Sequence, residues 1–127
     1  MPLLDTHLLL WAASRSPKLP LAVRDTILEP EAELTFSVAS IWEIAIKQSQ
    51  GRRDFDFDTA DLRAGLLGAG YSELPVLGVH GVAVATIPML HRDPFDRILL
   101  AQAMVEGLEL WTVDTQLARY PGRIRVF

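Results

Sequence analysis

Four carboxylates that lie far apart in the sequence are the residues with the clearest potential for chemistry. Each falls in or directly after an apolar segment that has no structural need for a charge, and they are Asp5, Glu43, Asp96 and Asp114. In one cleft these acids would repel one another, and a hard divalent cation such as Mg²⁺ or Mn²⁺ removes that repulsion through oxygen ligands. Such an ion also lowers the pKa of a bound water for attack on phosphorus. The pattern therefore predicts a metal site assembled by folding.

Each acid also has a simpler structural explanation. Asp is a favoured N-cap, and Asp5 and Asp114 both stand between a predicted strand and a predicted helix. Glu43 precedes Lys47 by four residues, so the two side chains can form a surface pair worth a few tenths of a kcal/mol. Taken singly, these acids are explained by capping and pairing, and only their joint placement favours a metal site.

Asp96 shows the conflict between the two explanations most clearly. Asp93 is the natural N-cap of the helix that follows, which leaves Asp96 at the third helical position, where a negative charge suits the helix dipole. The residues three and four positions after Asp96 are Leu99 and Leu100, which places the carboxylate on the apolar stripe of the helix. A carboxylate on a buried stripe needs a partner. This position therefore favours a ligand over a dipole contact alone.

Short strand-like segments alternate with longer helical ones, which predicts βαβ units around a parallel sheet covered on both faces. The predicted strands are 2–5, 33–37, 72–76, 108–113 and 124–127, and the predicted helices are 6–14, 20–29, 40–50, 59–69, 78–86, 94–106 and 115–120. Residues 52–58 are the predicted exposed loop. Asp5 and Asp114 follow two strands, at the edge where open α/β sheets bind ligands, and Glu43 and Asp96 come early in helices that can converge there.

Composition limits the class of protein. The 127 residues fit one domain, residues 1–127, because domains most often have about 100 to 150 residues. Half of the residues are apolar, cysteine is absent, and 16 acidic against 12 basic residues give a net charge of −4. Disulfides and zinc-thiolate sites are therefore excluded, and no global charge attracts a polyanion. The apolar run 3–13 is interrupted by Asp5 and His7 and is too short to span a bilayer, so we expect a soluble cytoplasmic protein with no membrane contact.

Four ordered segments carry a resemblance to a known family. They are residues 3–7 (LLDTH), 40–47 (SIWEIAIK), 91–103 (HRDPFDRILLAQA) and 110–114 (LWTVD). With these motifs the chain resembles the PIN-domain ribonucleases, and among them the VapC-type toxins of bacterial toxin–antitoxin pairs, over nearly its whole length. One departure follows the second motif, where family members often have Gly-Lys-Leu and this chain has Gly51-Arg52-Arg53. The loop after that helix can therefore contact partners differently.

The resemblance implies a fold, a reaction and a set of partners. The implied fold is an α/β, three-layer α/β/α PIN-like fold with a central parallel sheet. Asp5, Glu43, Asp96 and Asp114 are implied as the catalytic and metal-binding acids, with the Thr112 hydroxyl beside them. The resemblance also implies Mg²⁺ or Mn²⁺ as cofactor, RNA as substrate, a cognate VapB-like antitoxin whose tail blocks the site, and toxin activity. We further expect a homodimer, as in many family members, because half of the residues are apolar and the helices are short.

Other residues carry weaker signals. Arg92 and Arg97 flank the third motif and can contact RNA phosphates through bidentate forks, although helix-end charges or a salt bridge explain them equally well. No spacing pairs the histidines as metal ligands, so we expect hydrogen-bonded structural roles for His7, His80 and His91. Each tryptophan sits in an apolar run, so we expect core or interface anchors, and not base-stacking platforms, in Trp11, Trp42 and Trp111.

Three other functions fit the length and the acidic pattern less well. A phosphoacceptor receiver-like signalling domain needs a lysine late in the chain, and the only lysines are Lys18 and Lys47. An aspartyl-phosphate phosphatase needs a second Asp two places after the first, and His7 occupies that place. A catalytically silent PIN-like RNA-binding module would show a lost acid, and all four are present. A metal-dependent endoribonuclease is therefore the predicted function.

Overall fold

The computed structural model describes all 127 residues, with a five-stranded parallel sheet at its centre. The strands are β1 (Pro2–Leu4), β2 (Thr35–Ser37), β3 (Ser72–Leu74), β4 (Glu109–Thr112) and β5 (Ile124–Val126). The helices are α1 (Thr6–Ser14), α2 (Leu21–Ile27), α3 (Val38–Ser49), α4 (Thr59–Gly68), α5 (Gly78–Val84) and α6 (Pro94–Glu106). Two short 3₁₀ helices cover Arg53–Phe55 and Thr115–Arg119. Every predicted strand and helix is therefore present, with ends that shift by a few residues.

Alternating side chains of β1 and β4 divide the core between the two faces of the sheet. Leu3 and Leu110 pack in a cluster with apolar residues of α6, and Leu4 and Trp111 pack in another with residues of α1 and α2. A third cluster joins Phe36 of β2 to α1, α3 and α4. Because successive strand residues point to opposite faces, helices must cover both sides to bury these residues. The predicted three-layer α/β/α fold with a parallel sheet is confirmed.

The order of the strands creates one crevice at the carboxyl end of the sheet. Across the sheet the order is β3-β2-β1-β4-β5, and all neighbouring strands are parallel. The chain first extends the sheet from β1 to β3 and then returns to add β4 on the other side of β1. At such a reversal the connections leave β1 and β4 in opposite directions, which opens a gap above the two strand ends. Asp5 follows β1 directly, and Asp114 comes two residues after β4.

Local signals explain where the helices begin and end. The Asp93 side chain accepts a hydrogen bond from the backbone N–H of Phe95 and so caps α6, with Pro94 as its first residue. The same helix ends at Gly107, whose φ of 67° is a conformation that glycine adopts at no steric cost. Helix α3 starts at Val38, earlier than the predicted start at residue 40, because the Ser37 hydroxyl at the end of β2 serves as its N-cap.

Phe55 departs from the prediction, and for Trp42 one of the two predicted roles is excluded. The segment 52–58 was predicted to be exposed, yet it contains a 3₁₀ turn that inserts Phe55, with no exposed surface, between α1, α3 and α4. Trp42 was predicted to anchor the core or an interface, and with 63% of its surface exposed it is not a core residue, so its interface role stays a prediction. Trp111 is buried as predicted. None of the helices is long and apolar enough to cross a membrane.

Candidate active site

Asp5 lies at the carboxyl end of the central strand with both carboxylate oxygens engaged. Its Oδ1 accepts a hydrogen bond from the backbone N–H of Leu8 at 2.9 Å, so Asp5 is the N-cap of α1. Its Oδ2 accepts a bond from the Thr112 hydroxyl at 2.6 Å, across the pair of strands β1 and β4. Burial raises the pKa of this carboxyl above its ordinary value, against the lowering effect of the two hydrogen bonds. The capping explanation thus accounts for one oxygen only.

Thr112 connects Asp5 to Asp114. The Thr112 side chain is fully buried, and its hydroxyl oxygen accepts a hydrogen bond from the backbone N–H of Asp114 at 3.0 Å. Asp114 caps the following 3₁₀ helix with Oδ1, which accepts from the N–H of Gln116 at 2.9 Å. Its Oδ2 is directed elsewhere, toward His91. One hydroxyl therefore contacts two of the predicted acids, and it belongs to Thr112, the residue that the family resemblance implied beside them.

Asp96 differs from Asp93 although the two lie on the same helical turn. Asp93 caps α6, whereas no backbone N–H or hydroxyl donates to Asp96. Burial raises the pKa of the Asp96 carboxyl from 3.8 to about 7, and the charge of Asp93 adds to the rise. The charge of His91 opposes this rise in the pKa, and the charges of Asp5 and Glu43 add smaller contributions to it. A nearby positive charge would therefore stabilise the ionised form of Asp96.

Glu43 is buried, with 3% of its surface exposed, and it is paired. Its Oε1 accepts a hydrogen bond from the Thr6 hydroxyl at 2.6 Å, and its Oε2 accepts one from the Lys47 ammonium group. Glu43 and Lys47 therefore do form the ion pair that is the simpler explanation of Glu43. The pair is largely buried, however, and does not lie on the surface. The positive charge of Lys47 offsets part of the negative charge of Glu43, so repulsion in the cleft is smaller than four unpaired carboxylates would produce.

His91 is a residue of this site that the sequence reasoning missed. Its Nε2 lies 3.2 Å from Asp114 Oδ2 and 3.3 Å from Asp96 Oδ2. Its Nδ1 accepts a hydrogen bond from the backbone N–H of Asp93 at 3.1 Å, so in the neutral ring the proton resides on Nε2, which hydrogen-bonds Asp114 Oδ2. One ligand atom from each of His91, Asp96 and Asp114 lies within 4.8 Å of the others. The only available signal was the position of His91 at the start of the third motif.

The other two histidines lie away from this group. His80 is fully buried, accepts a hydrogen bond at Nδ1 from the backbone N–H of Leu77, and places Nε2 3.0 Å from Glu106. These contacts hold the start of α5 against the end of α6, which is the structural role predicted for it. His7 is exposed on α1 and packs against Trp11.

The two arginines predicted to contact phosphate have different environments. Arg97 is buried, and its guanidinium donates to the backbone carbonyls of Pro88, Val84 and Ile87 at 2.9 to 3.2 Å. These bonds satisfy carbonyls at and after the end of α5, so Arg97 has a structural role instead of the predicted phosphate contact. Arg92 is exposed and takes part in none of the ion pairs.

The predicted acids thus lie at one end of the sheet, and some of them are closer to one another than others. Asp96 and Asp114 meet at His91, Asp5 joins Asp114 through Thr112, and Glu43 influences Asp5 and Asp96 by its charge. Carboxylate oxygens are the preferred ligands of Mg²⁺ and Mn²⁺. The raised pKa values at Asp5 and Asp96 fit such an ion, because a cation stabilises the charged form that burial disfavours.

Comparison with known proteins identifies relatives of this fold. The PIN-domain family model matches residues 3–123. Two similar solved structures are VapBC2 from Rickettsia felis bound to a DNA fragment from their promoter, with a TM-score of 0.70 and 12% identity, and DNA-bound VapBC from Salmonella typhimurium, with a TM-score of 0.72 and 15% identity. The matches cover 98% of this chain and 97% and 96% of the matched chains. At these identities the likeness concerns the fold. No curated protein matches the chain in sequence.

Proposed function

Because the chain belongs to the PIN-domain family, we propose that it is a metal-dependent endoribonuclease that acts as a VapC-type toxin. The observation that carries the proposal is the convergence of Asp5, Asp96 and Asp114 above the ends of β1 and β4. Burial at Asp96 and Asp5 works against their charged forms, which a fold tolerates where a cation is to be bound. The loss of one acid would favour the silent RNA-binding alternative, and all four are present.

Asp5, Glu43, Asp96 and Asp114 are the residues proposed to hold Mg²⁺ or Mn²⁺. When bound, such an ion supplies charge that stabilises the attacking and leaving oxygens at phosphorus and makes a water more acidic. The cofactor and its identity belong to this proposal. Oxygen ligands and the absence of cysteine support a hard cation over zinc or another thiophilic metal.

The surrounding residues act by holding the acids in place. Thr112 orients the Asp5 carboxylate, and the Nε2–H of His91 donates to Asp114 with Asp96 Oδ2 3.3 Å away. Thr6 and Lys47 hold Glu43. Preorganised groups of this kind lower the reorganisation required when charge develops at the reacting phosphate. His91 serves here as a donor and not as a metal ligand, because its other ring nitrogen already accepts the Asp93 N–H.

The biological part of the proposal concerns partners. Both similar structures described above are VapBC assemblies, which supports a VapB-like antitoxin as the partner of this chain. We propose RNA as the substrate, inhibition by an antitoxin tail placed over the acids, a homodimer as the assembly, and the cytoplasm as the location. A receiver-like signalling role is disfavoured by the lack of a lysine after Lys47.

The enzymatic proposal is tested with the purified chain and single-stranded RNA. Cleavage should require added Mg²⁺ or Mn²⁺ and should stop when EDTA is in excess, because the acids act through the ion. Zn²⁺ and Ca²⁺ serve as comparison metals. Cleavage that continues undiminished in EDTA would overturn the metal-dependent mechanism.

The toxin proposal needs a separate test in cells. Expression of the chain alone should arrest growth of a bacterial host, and co-expression of the adjacent antitoxin gene should restore it. The Asp96→Asn variant, expressed to the same level, is the matched control and should leave growth unaffected. If the intact chain is harmless at high level while it cleaves RNA in vitro, a processing nuclease replaces the toxin.

A further inference from the structure

Trp42 is the most exposed aromatic group that lies next to the proposed catalytic acids. It has 63% of its surface exposed, whereas Trp111 is buried and Trp11 is half-buried. Its indole is held by a single aromatic neighbour, Phe95, with ring centroids 5.3 Å apart and an angle of 74° between the planes. A tilted contact of this kind fixes the orientation of the indole and covers at most one of its faces. An ordered and open indole is suited to bind a flat ligand.

The two rings stand next to two of the acids. Trp42 directly precedes Glu43 on α3, and Phe95 directly precedes Asp96 on α6. Successive side chains of a helix diverge by about 100°, so each ring lies to the side of its acid and does not cover it. Because α3 and α6 pack together, the Trp42–Phe95 contact forms one aromatic border along the group of acids. A substrate whose phosphate reaches the acids therefore passes this border.

We propose that the Trp42–Phe95 pair is a platform on which one base of the single-stranded RNA stacks while the adjoining phosphate lies at the acids. The inference rests on the proposed function. It adds that the protein contacts a base of the RNA next to the phosphate that reacts. Single-stranded RNA presents unstacked bases, and proteins bind these on exposed aromatic rings. Each stacked base contributes about 1 to 3 kcal/mol to binding and requires no particular sequence.

A second copy of the chain is the competing occupant of this surface. Tryptophan is a frequent anchor of protein interfaces, and Val38, one turn before Trp42 on α3, is 37% exposed. Two observations favour RNA. The rings adjoin two acids that need access to substrate, and the exposed, unpaired Arg92 lies in the same segment as Phe95, where it supplies positive charge for a phosphate.

The test compares two labelled strands that differ only in their bases. One is a short single-stranded RNA, and the other carries abasic nucleotides and so has the same phosphates without bases. Binding is followed by fluorescence anisotropy for wild type, Trp42→Ala, Trp42→Phe and the control Leu21→Ala, which removes an equally exposed apolar side chain on α2. We expect Trp42→Ala to weaken binding of the base-bearing strand by about tenfold or more and to leave the abasic strand unaffected. Trp42→Phe should retain most of the affinity, and Leu21→Ala should retain all of it.

Two further measurements separate stacking from other roles of Trp42. RNA should quench the tryptophan fluorescence of wild type but not that of Trp42→Ala, and this variant should raise KM for cleavage with little change in kcat. An equal loss of affinity for both strands, or no loss, would overturn the inference. So would light scattering that shows a wild-type dimer converted to a monomer, together with lost binding of both strands, because Trp42 would then be a subunit contact.

The outcomes also separate this inference from the proposed function. If wild type cleaves no RNA but Trp42→Ala loses base-dependent binding, the platform stands and the nuclease proposal fails. If wild type cleaves RNA with Mg²⁺ while Trp42→Ala binds and cleaves normally, the nuclease proposal stands and the platform fails.

Discussion

Replacement of Asp96 by Asn tests whether this residue is a metal ligand or a helix-start charge. Asp93, three residues earlier, provides the matched control, because Asn caps a helix as well as Asp does. Asp93→Asn should change the free energy of unfolding by less than about 1 kcal/mol and should leave most of the activity. Asp96→Asn keeps the shape of the side chain and removes only the ability to carry a negative charge. The two variants thus differ in the one property that a metal site requires.

The effect on stability follows from the pKa of Asp96. A folded-state pKa of about 7 against the ordinary 3.8 means that the folded, metal-free protein binds this proton more tightly than the unfolded chain. Stability is therefore highest below about pH 4 for this group and is lost as the pH rises through about 7. The full difference corresponds to a few kcal/mol at most, and more than half of it falls between pH 5 and pH 8. Asp96→Asn should remove this loss, because Asn does not ionise.

The assay is thermal unfolding in EDTA at several pH values. At about pH 8, Asp96→Asn should melt above wild type, and the advantage should shrink by several degrees toward pH 5, since about 4 °C corresponds to 1 kcal/mol for a chain of this length. Saturating Mn²⁺ should stabilise wild type more than the variant, because binding to the folded state alone adds stability. Asp93→Asn should respond to metal as wild type does.

The effect on catalysis should run in the opposite direction. Loss of a charged ligand should lower metal-dependent cleavage at least about 100-fold, which corresponds to about 2.7 kcal/mol of activation free energy, while the fold stays intact. Equal and mild losses of activity in Asp93→Asn and Asp96→Asn would refute the assignment of Asp96 to the catalytic set. A pH profile of melting that is unchanged in Asp96→Asn would refute the explanation through burial.

Three other predictions concern residues around the acids. Thr112→Val should lower both the free energy of unfolding, by about 1 to 3 kcal/mol, and cleavage, because it removes the hydroxyl that bonds Asp5 Oδ2; Thr112→Ser should restore both, and equal behaviour of the two variants would contradict this role. His91→Ala should reduce cleavage and metal affinity about 10-fold to 100-fold with little effect on urea unfolding, and an unchanged metal titration would exclude it from the site. Arg97→Met should destabilise the fold by several kcal/mol without changing the salt dependence of RNA binding, whereas Arg92→Ala should reduce that dependence. If Arg97→Met reduced the salt dependence of RNA binding and Arg92→Ala did not, Arg97 would be the phosphate contact.

The sequence alone determined the helices, the strands and the class of the fold. Asp5, Asp93 and Asp114 cap the helices that they precede, and Gly107 ends α6, because a cap involves only backbone groups within a few residues. The alternation of strands and helices predicted the parallel sheet for a similar reason, since short apolar strands can be buried only between two layers of helices. The sequence also indicated which acids belong to the carboxyl end of that sheet.

Only the tertiary structure decided which neighbours these acids have. Phe55 is buried although its segment was predicted to be exposed, and Trp42 lies outside the core, because burial depends on which helix packs over a residue. Arg97 bonds carbonyls at and after the end of α5, and no local pattern indicates which side chain of another helix lies within reach of them.

His91 is the clearest case of this division. It lies 23 residues before Asp114, and the two meet only because β4 returns beside β1 and α6 delivers Asp96 to the same crevice. The residues that cap the helices can be deduced from the sequence, because a cap involves only nearby backbone groups. The partner of each carboxylate oxygen is set by long-range packing, which brings together residues that lie far apart in the sequence.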